Sequence, residues 1–71
     1  MYLKRLKDLR EDADLKQFTI ASLLGITRQQ YSLYETGKRD IPAEYIKILA
    51  KFYGTSCDYI LEMTNEQKAY K

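Results

Sequence analysis

Apolar residues recur at three- and four-residue intervals along most of the chain, and nowhere do they alternate over a stretch long enough for a half-buried strand. The pattern predicts five helices. The first runs from about Tyr2 to Asp12, with Leu6, Leu9 and Ala13 along one stripe. The second runs from about Gln17 to Leu24 and carries Ile20, Ala21, Leu23 and Leu24. The third, about Arg28 to Thr36, turns Tyr31 and Tyr34 to one side. The fourth, about Pro42 to Tyr53, buries Ile46, Leu49, Ala50 and Tyr53. The fifth spans about Cys57 to Met63.

Punctuation supports these limits. Gly25, Gly37 and Gly54 each follow an apolar period, where a chain leaving a helix turns left-handed. Pro42 suits a first helical turn. Thr27 and Gln30 have the spacing of a capping box, and Ser56 suits an N-cap. The connections are short, so neighbouring helices must touch. The expected fold class is all-α, a compact five-helix globule. Residues 1–63 form the domain, and 64–71 form a short polar tail expected to fray.

Seventy-one residues suffice for one small domain, with no room for a separate ligand-binding or catalytic unit. No apolar run approaches the roughly 20 residues needed to span a bilayer, and the first residues do not resemble a signal peptide. Cys57 is the only cysteine and histidine is absent. An intrachain disulfide, a thiolate or imidazole metal site, and Ser-His-Asp or Cys-His catalysis are therefore excluded. Cys57 reads as a small buried apolar residue. The expectation is a cytoplasmic protein that is not an enzyme, with no cofactor and no evident small-molecule ligand.

The net charge of +2 decides little, but its distribution is uneven. Between Lys16 and Arg39, four cations (Lys16, Arg28, Lys38, Arg39) face one anion (Glu35), giving +3. Between Asp40 and Glu66, two cations meet five anions, giving −3. The middle of the chain is the natural surface for a polyanion. It also contains two short helices hinged at Gly25, the second opening with Arg28, Gln29 and Gln30. Those long polar side chains have the chemistry to read base edges in a DNA major groove.

These residues resemble the Cro/C1-type, or lambda repressor-like (XRE), helix-turn-helix family. The resemblance is carried by Leu9-Arg10, Gln17, Ile20-Ala21, Leu24-Gly25-Ile26-Thr27, Tyr31-Ser32, Tyr34-Glu35 and Gly37-Lys38. It continues through Pro42, Leu49-Ala50, Tyr53-Gly54, Ser56, Asp58-Tyr59 and Leu61. It implies a five-helix DNA-binding domain whose helix-turn-helix is formed by helices two and three. It implies base readout by Arg28 and Gln29, with Ser32 and Leu33 one turn further on. It implies phosphate contacts from Gln17, Gln30, Lys38 and Arg39, with Lys16 a further candidate. Arg10 and Glu35 match a structural salt bridge.

Three positions depart from the family pattern. Lys16 stands where a Ser, Thr or Asn cap is usual. Phe18 stands where a polar residue is common; folding back onto helix one is the favoured reading, exposure near DNA the alternative. Leu33 replaces a polar reader. Helix four also carries a second apolar stripe, Tyr45, Ile48 and Phe52, which with Ile60 and Met63 is a possible dimer surface.

The implied function is a sequence-specific transcriptional regulator, a repressor binding a palindromic operator in double-stranded DNA as a homodimer. With no sensor domain, control would come from protein concentration or a partner. The competing reading is an antitoxin or protein-interaction adaptor built on the same fold.

Overall fold

The computed structural model describes residues 1–67. They form α1 (Lys4–Asp12), α2 (Gln17–Leu24), α3 (Arg28–Glu35), α4 (Ala43–Tyr53) and α5 (Cys57–Ile60), with no strand among the described residues. No helix among them is long and apolar enough to cross a membrane. The molecule measures 32 × 22 × 20 Å.

Four of these helices end in the same way. A left-handed residue returns its N–H three residues back, and the next residue returns its N–H five back, which satisfies two of the carbonyls a helix leaves open. In α2 the pair is Gly25 to Ser22 (3.1 Å) and Ile26 to Ala21 (3.0 Å). In α1 it is Asp14 to Glu11 and Leu15 to Arg10, and in α5 it is Glu62 to Tyr59 and Met63 to Asp58. Gly54 closes α4. Glycine adopts this conformation without penalty, but Asp14 (φ 58°) and Glu62 (φ 62°) carry a Cβ into it. The turn at Asp14 also explains a departure from the sequence pattern. Helix α1 stops at Asp12, so Ala13 leaves the apolar stripe and is exposed, and Leu3 joins Leu6 and Leu9 in the core.

The core is built where the helices converge. Leu6, Ile20, Tyr31, Leu49 and Ile60 are fully enclosed, so every helix contributes one buried anchor. Ala21 is 1 % exposed on the buried face of α2, which lies against α3; a small side chain there allows close approach. Cys57 is half-buried and packs against this core rather than within it.

Several contacts bind residues near the first and the last described positions to the domain. Tyr2 lies over Gly37 so closely that a Cβ at position 37 would sit 2.9 Å from the Tyr2 Cα. Gly37 is also left-handed (φ 79°), so two independent constraints demand glycine there. At the other end, Arg5 donates to the carbonyls of Tyr59 (2.8 Å) and Thr64 (2.6 Å) and to Asn65 Oδ1 (3.0 Å). Its guanidinium also stacks 4.0 Å from the Tyr59 ring centroid. Thr55 Oγ1 donates to the carbonyl of Gln67. Residues 64–67 are thus hydrogen-bonded back to the domain through Thr64, Asn65 and Gln67. Residues 68–71, the remainder of the polar tail, lie outside the described residues.

Candidate nucleic-acid interface

Helix α3 starts where Thr27, in extended backbone (φ −77°, ψ 155°), accepts a hydrogen bond from the Gln30 N–H at 3.1 Å. Such a cap contributes about 1 kcal/mol. The expected capping box is only half formed. The Gln30 side chain donates to Tyr34 Oη at 3.4 Å instead of returning to Thr27. Tyr31, Tyr34 and Glu35 turn inward, which leaves Arg28 and Gln29 exposed at the helix start. Ser32 and Leu33, one turn on, are half-buried. Lys38 and Arg39 are exposed in the loop after α3, where the Arg39 N–H donates to the Leu33 carbonyl at 3.1 Å. The Met1 amino group forms an ion pair with Asp40 in that loop.

Helix α2 brings Gln17 to the same edge. Lys16 occupies its N-cap without a side-chain cap bond, so the N–H groups of Gln17 and Phe18 and the positive end of the helix dipole remain open to an anion, while the Thr19 N–H donates to the Lys16 carbonyl. Gln17 is half-buried and joins two networks. Its Nε2 donates to Glu35 Oε1 at 3.4 Å, and its Oε1 accepts from Arg28 Nη1 at 3.5 Å. Both bonds are long, so Gln17 is steered rather than locked.

Beneath lies the ion pair that fixes α3 to α1. Arg10 Nε and Nη2 donate to the two Glu35 oxygens at 2.9 and 2.8 Å, and Nη1 donates to the Leu15 carbonyl at 2.8 Å. The side chains are 13 % and 3 % exposed. Burial alone would raise the Glu35 carboxyl. Hydrogen bonding to Arg10, the nearby Tyr31 hydroxyl and the Arg10 charge outweigh it, and the carboxyl is held below its ordinary value. The hydrogen bonds to Glu35 in turn raise Arg10. The buried hydroxyls of Tyr31 and Tyr53 close no hydrogen bond of ordinary geometry with protein groups. Burial, reinforced by the Glu35 charge, raises both phenols, that of Tyr53 to about 12.

The two helix starts therefore bring Lys16, Gln17, Arg28 and Gln29 together above a buried charge pair, and the loop after α3 adds the exposed Lys38 and Arg39. A helix-turn-helix family model matches residues 6–60, which include all of these residues and the whole of α2 and α3. The chain belongs to the helix-turn-helix family of the Cro/C1 type. This helix-turn-helix domain is similar to YobD, an uncharacterised HTH-type transcriptional regulator of Bacillus subtilis, with 36% identity over 93% of the chain and 59% of that protein. It is 37% identical to RstR, a cryptic phage CTXphi transcriptional repressor of Vibrio cholerae, over 76% of the chain and 49% of RstR. It is 36% identical to the antitoxin PezA of Streptococcus pneumoniae over 75% of the chain and 34% of PezA. The chain spans from one third to three fifths of the length of these relatives.

Two further sequence expectations require correction in this helix-turn-helix domain. Phe18 does not fold onto α1. It is 67 % exposed, because α2 turns Ile20, Ala21 and Leu24 inward and position 18 falls outside that stripe. Ile60 cannot belong to a surface. It is 0 % exposed, since α5 must bury it to close the core. Tyr45 is half-buried against Tyr34, with centroids 6.0 Å apart, and Ile48, Phe52 and Met63 remain exposed. The Arg5 clamp and the Tyr2–Gly37 contact went unread, because both join residues distant in sequence and leave no local signal. No cluster of three or more His, Cys, Asp or Glu among the described residues could hold a metal ion.

Proposed function

We propose that this domain is a sequence-specific, double-stranded DNA-binding transcriptional regulator in the cytoplasm, a repressor that binds a palindromic operator as a homodimer. The observation that carries the reading is the pair Arg28 and Gln29, exposed at the start of α3 behind the Gly25 turn, with cations on both flanks. Helix α3 enters the major groove by its N-terminal end. Arg28 pairs with guanine O6 and N7, and Gln29 with adenine. Ser32 and the exposed part of Leu33 read the next step, Leu33 against a thymine methyl. Gln17 and the open α2 N-terminus take a phosphate, while Lys16, Gln30, Lys38 and Arg39 hold the backbone without reading sequence. Two copies of α3 would enter successive major grooves about 34 Å apart. Occupying the promoter then excludes polymerase.

The test is selection of bound sequences from a random duplex pool, followed by binding across a salt series. A palindromic motif with steep salt dependence supports the proposal. Absence of any enriched motif, with weak binding lost at moderate salt, overturns it. The likeness to PezA favours a second reading, an antitoxin that also binds DNA. That reading predicts a tightly co-purifying toxin, which the first does not.

A further inference from the structure

Helix α2 turns Ile20, Ala21 and Leu24 inward and leaves one aromatic side chain outside. Phe18 is 67 % exposed, the most exposed aromatic residue among those described. The core makes no use of this ring, and neither does the set of polar contacts assigned above.

Its surroundings are polar and cationic. Gln17, the preceding residue, accepts from Arg28 Nη1 at 3.5 Å, so the start of α2 lies beside the start of the base-reading helix. Lys16 and Arg28 are both exposed, and among the described residues neither is held in an ion pair. The one carboxylate beneath, Glu35, is buried and paired with Arg10. Helix side chains lean toward the N-terminus of their own helix, and each covers the turn ahead of its own Cα. Phe18 is the second residue of α2, so its ring leans toward the end that carries Lys16 and Gln17.

A flat apolar ring set among cations and amide donors matches a ligand whose anionic and apolar groups alternate at short spacing. A DNA strand is such a ligand. Each phosphate is flanked by deoxyriboses, and the C–H faces of these sugars are apolar. We propose that Phe18 contacts DNA, its ring packing on the deoxyribose next to the phosphate held at Gln17. The inference rests on the DNA reading above and adds a contact of a different kind. Lys16, Lys38 and Arg39 attract the backbone by charge, and each such contact releases counterions; an apolar contact releases none. The ring therefore adds affinity that salt does not remove. It adds the same affinity to every sequence, because every nucleotide carries the same sugar.

The test is binding to two duplexes of equal length, one carrying a single half-site of the selected motif and one of random sequence. Phe18→Ala should weaken both about five- to tenfold, with the slope of affinity against salt unchanged. Its thermal midpoint should stay within a few degrees, because the side chain is already in water. Phe18→Leu should keep most of the affinity. Phe18→Lys should regain affinity at low salt only, with a slope steeper by about one. In the wild-type complex, magnetisation transfer from the Phe18 ring protons should reach sugar protons and not base protons. Equal binding by Phe18→Ala would overturn the proposal and leave the ring as a surface for a protein partner. A loss confined to the half-site duplex, or a salt slope lowered by about one, would overturn it as well. If the wild type binds neither duplex, the regulator reading fails and takes this inference with it. If Lys38→Ala weakens binding while Phe18→Ala does not, this inference alone fails.

Discussion

Replacing Arg10 with methionine should remove most of the stability of the domain at neutral pH. Methionine keeps the stem and deletes three hydrogen bonds, two to Glu35 and one to the Leu15 carbonyl. The Glu35 carboxylate, 3 % exposed, then keeps only the long contact from Gln17 and the nearby Tyr31 hydroxyl. An uncompensated buried charge of this kind costs about 3–5 kcal/mol. A domain of this size has about 4–10 kcal/mol in total. The thermal midpoint at pH 7 should fall by more than about 10 °C.

The acid side separates this mechanism from a simple loss of packing. In the wild type the folded Glu35 carboxyl lies below its unfolded value. The pair's contribution is therefore complete above the ordinary carboxylate range and declines as pH falls through the folded value. Without Arg10, burial is opposed only weakly and the folded carboxyl rises above its unfolded value. Acid should then stabilise the variant by neutralising Glu35, while it destabilises the wild type. Replacing both residues with methionine should recover at least about 2 kcal/mol relative to Arg10→Met, because the stranded charge is gone. Denaturant titrations from pH 4 to pH 8 follow all three proteins. A loss below about 1 kcal/mol, or an acid response parallel to the wild type, would refute the argument.

Arg28→Ala should cost about 1–3 kcal/mol at one base position of the selected site and little elsewhere, whereas Lys38→Ala should weaken every sequence alike and reduce the salt slope by about one; quantitative binding to single-base operator variants at several salt concentrations checks both. Glu62→Gly should raise stability by about 0.5–1 kcal/mol by relieving a left-handed glutamate, whereas Gly37→Ala should lower it by more than 1 kcal/mol, since its Cβ meets both an unfavourable φ and the Tyr2 backbone; urea unfolding reads both. Phe18→Ser should change stability by less than about 0.5 kcal/mol, and a loss of several kcal/mol on melting would mean that the ring is buried.

Much of this protein was legible in its residues because the signals were local. Helix starts and stops are written within a few positions: Thr27 before Gln30, Ser56 before Tyr59, and glycine after the apolar periods of α2, α3 and α4. Periodicity alone assigned Leu6, Ile20, Tyr31, Leu49 and Ala50 to the inner face. The exposed Arg28 and Gln29 followed from the inward turn of Tyr31 and Tyr34 on the same short helix.

What only the tertiary structure decided involves groups far apart in the chain. Whether α1 lies close enough to cover Phe18, which falls outside the inward stripe of α2, is settled only in the fold, where the ring is 67 % exposed. The second apolar stripe and Ile60 looked alike in sequence, yet the core consumes Ile60 and half of Tyr45 and leaves Ile48 and Phe52 outside. Arg5 reads as one more surface cation until the fold brings Tyr59, Thr64 and Asn65 to its guanidinium. Local sequence fixes backbone dihedral preferences and the side of a helix that seeks a core. Which of several apolar or charged groups finds a partner depends on how the helices cross, a property of the whole packed chain.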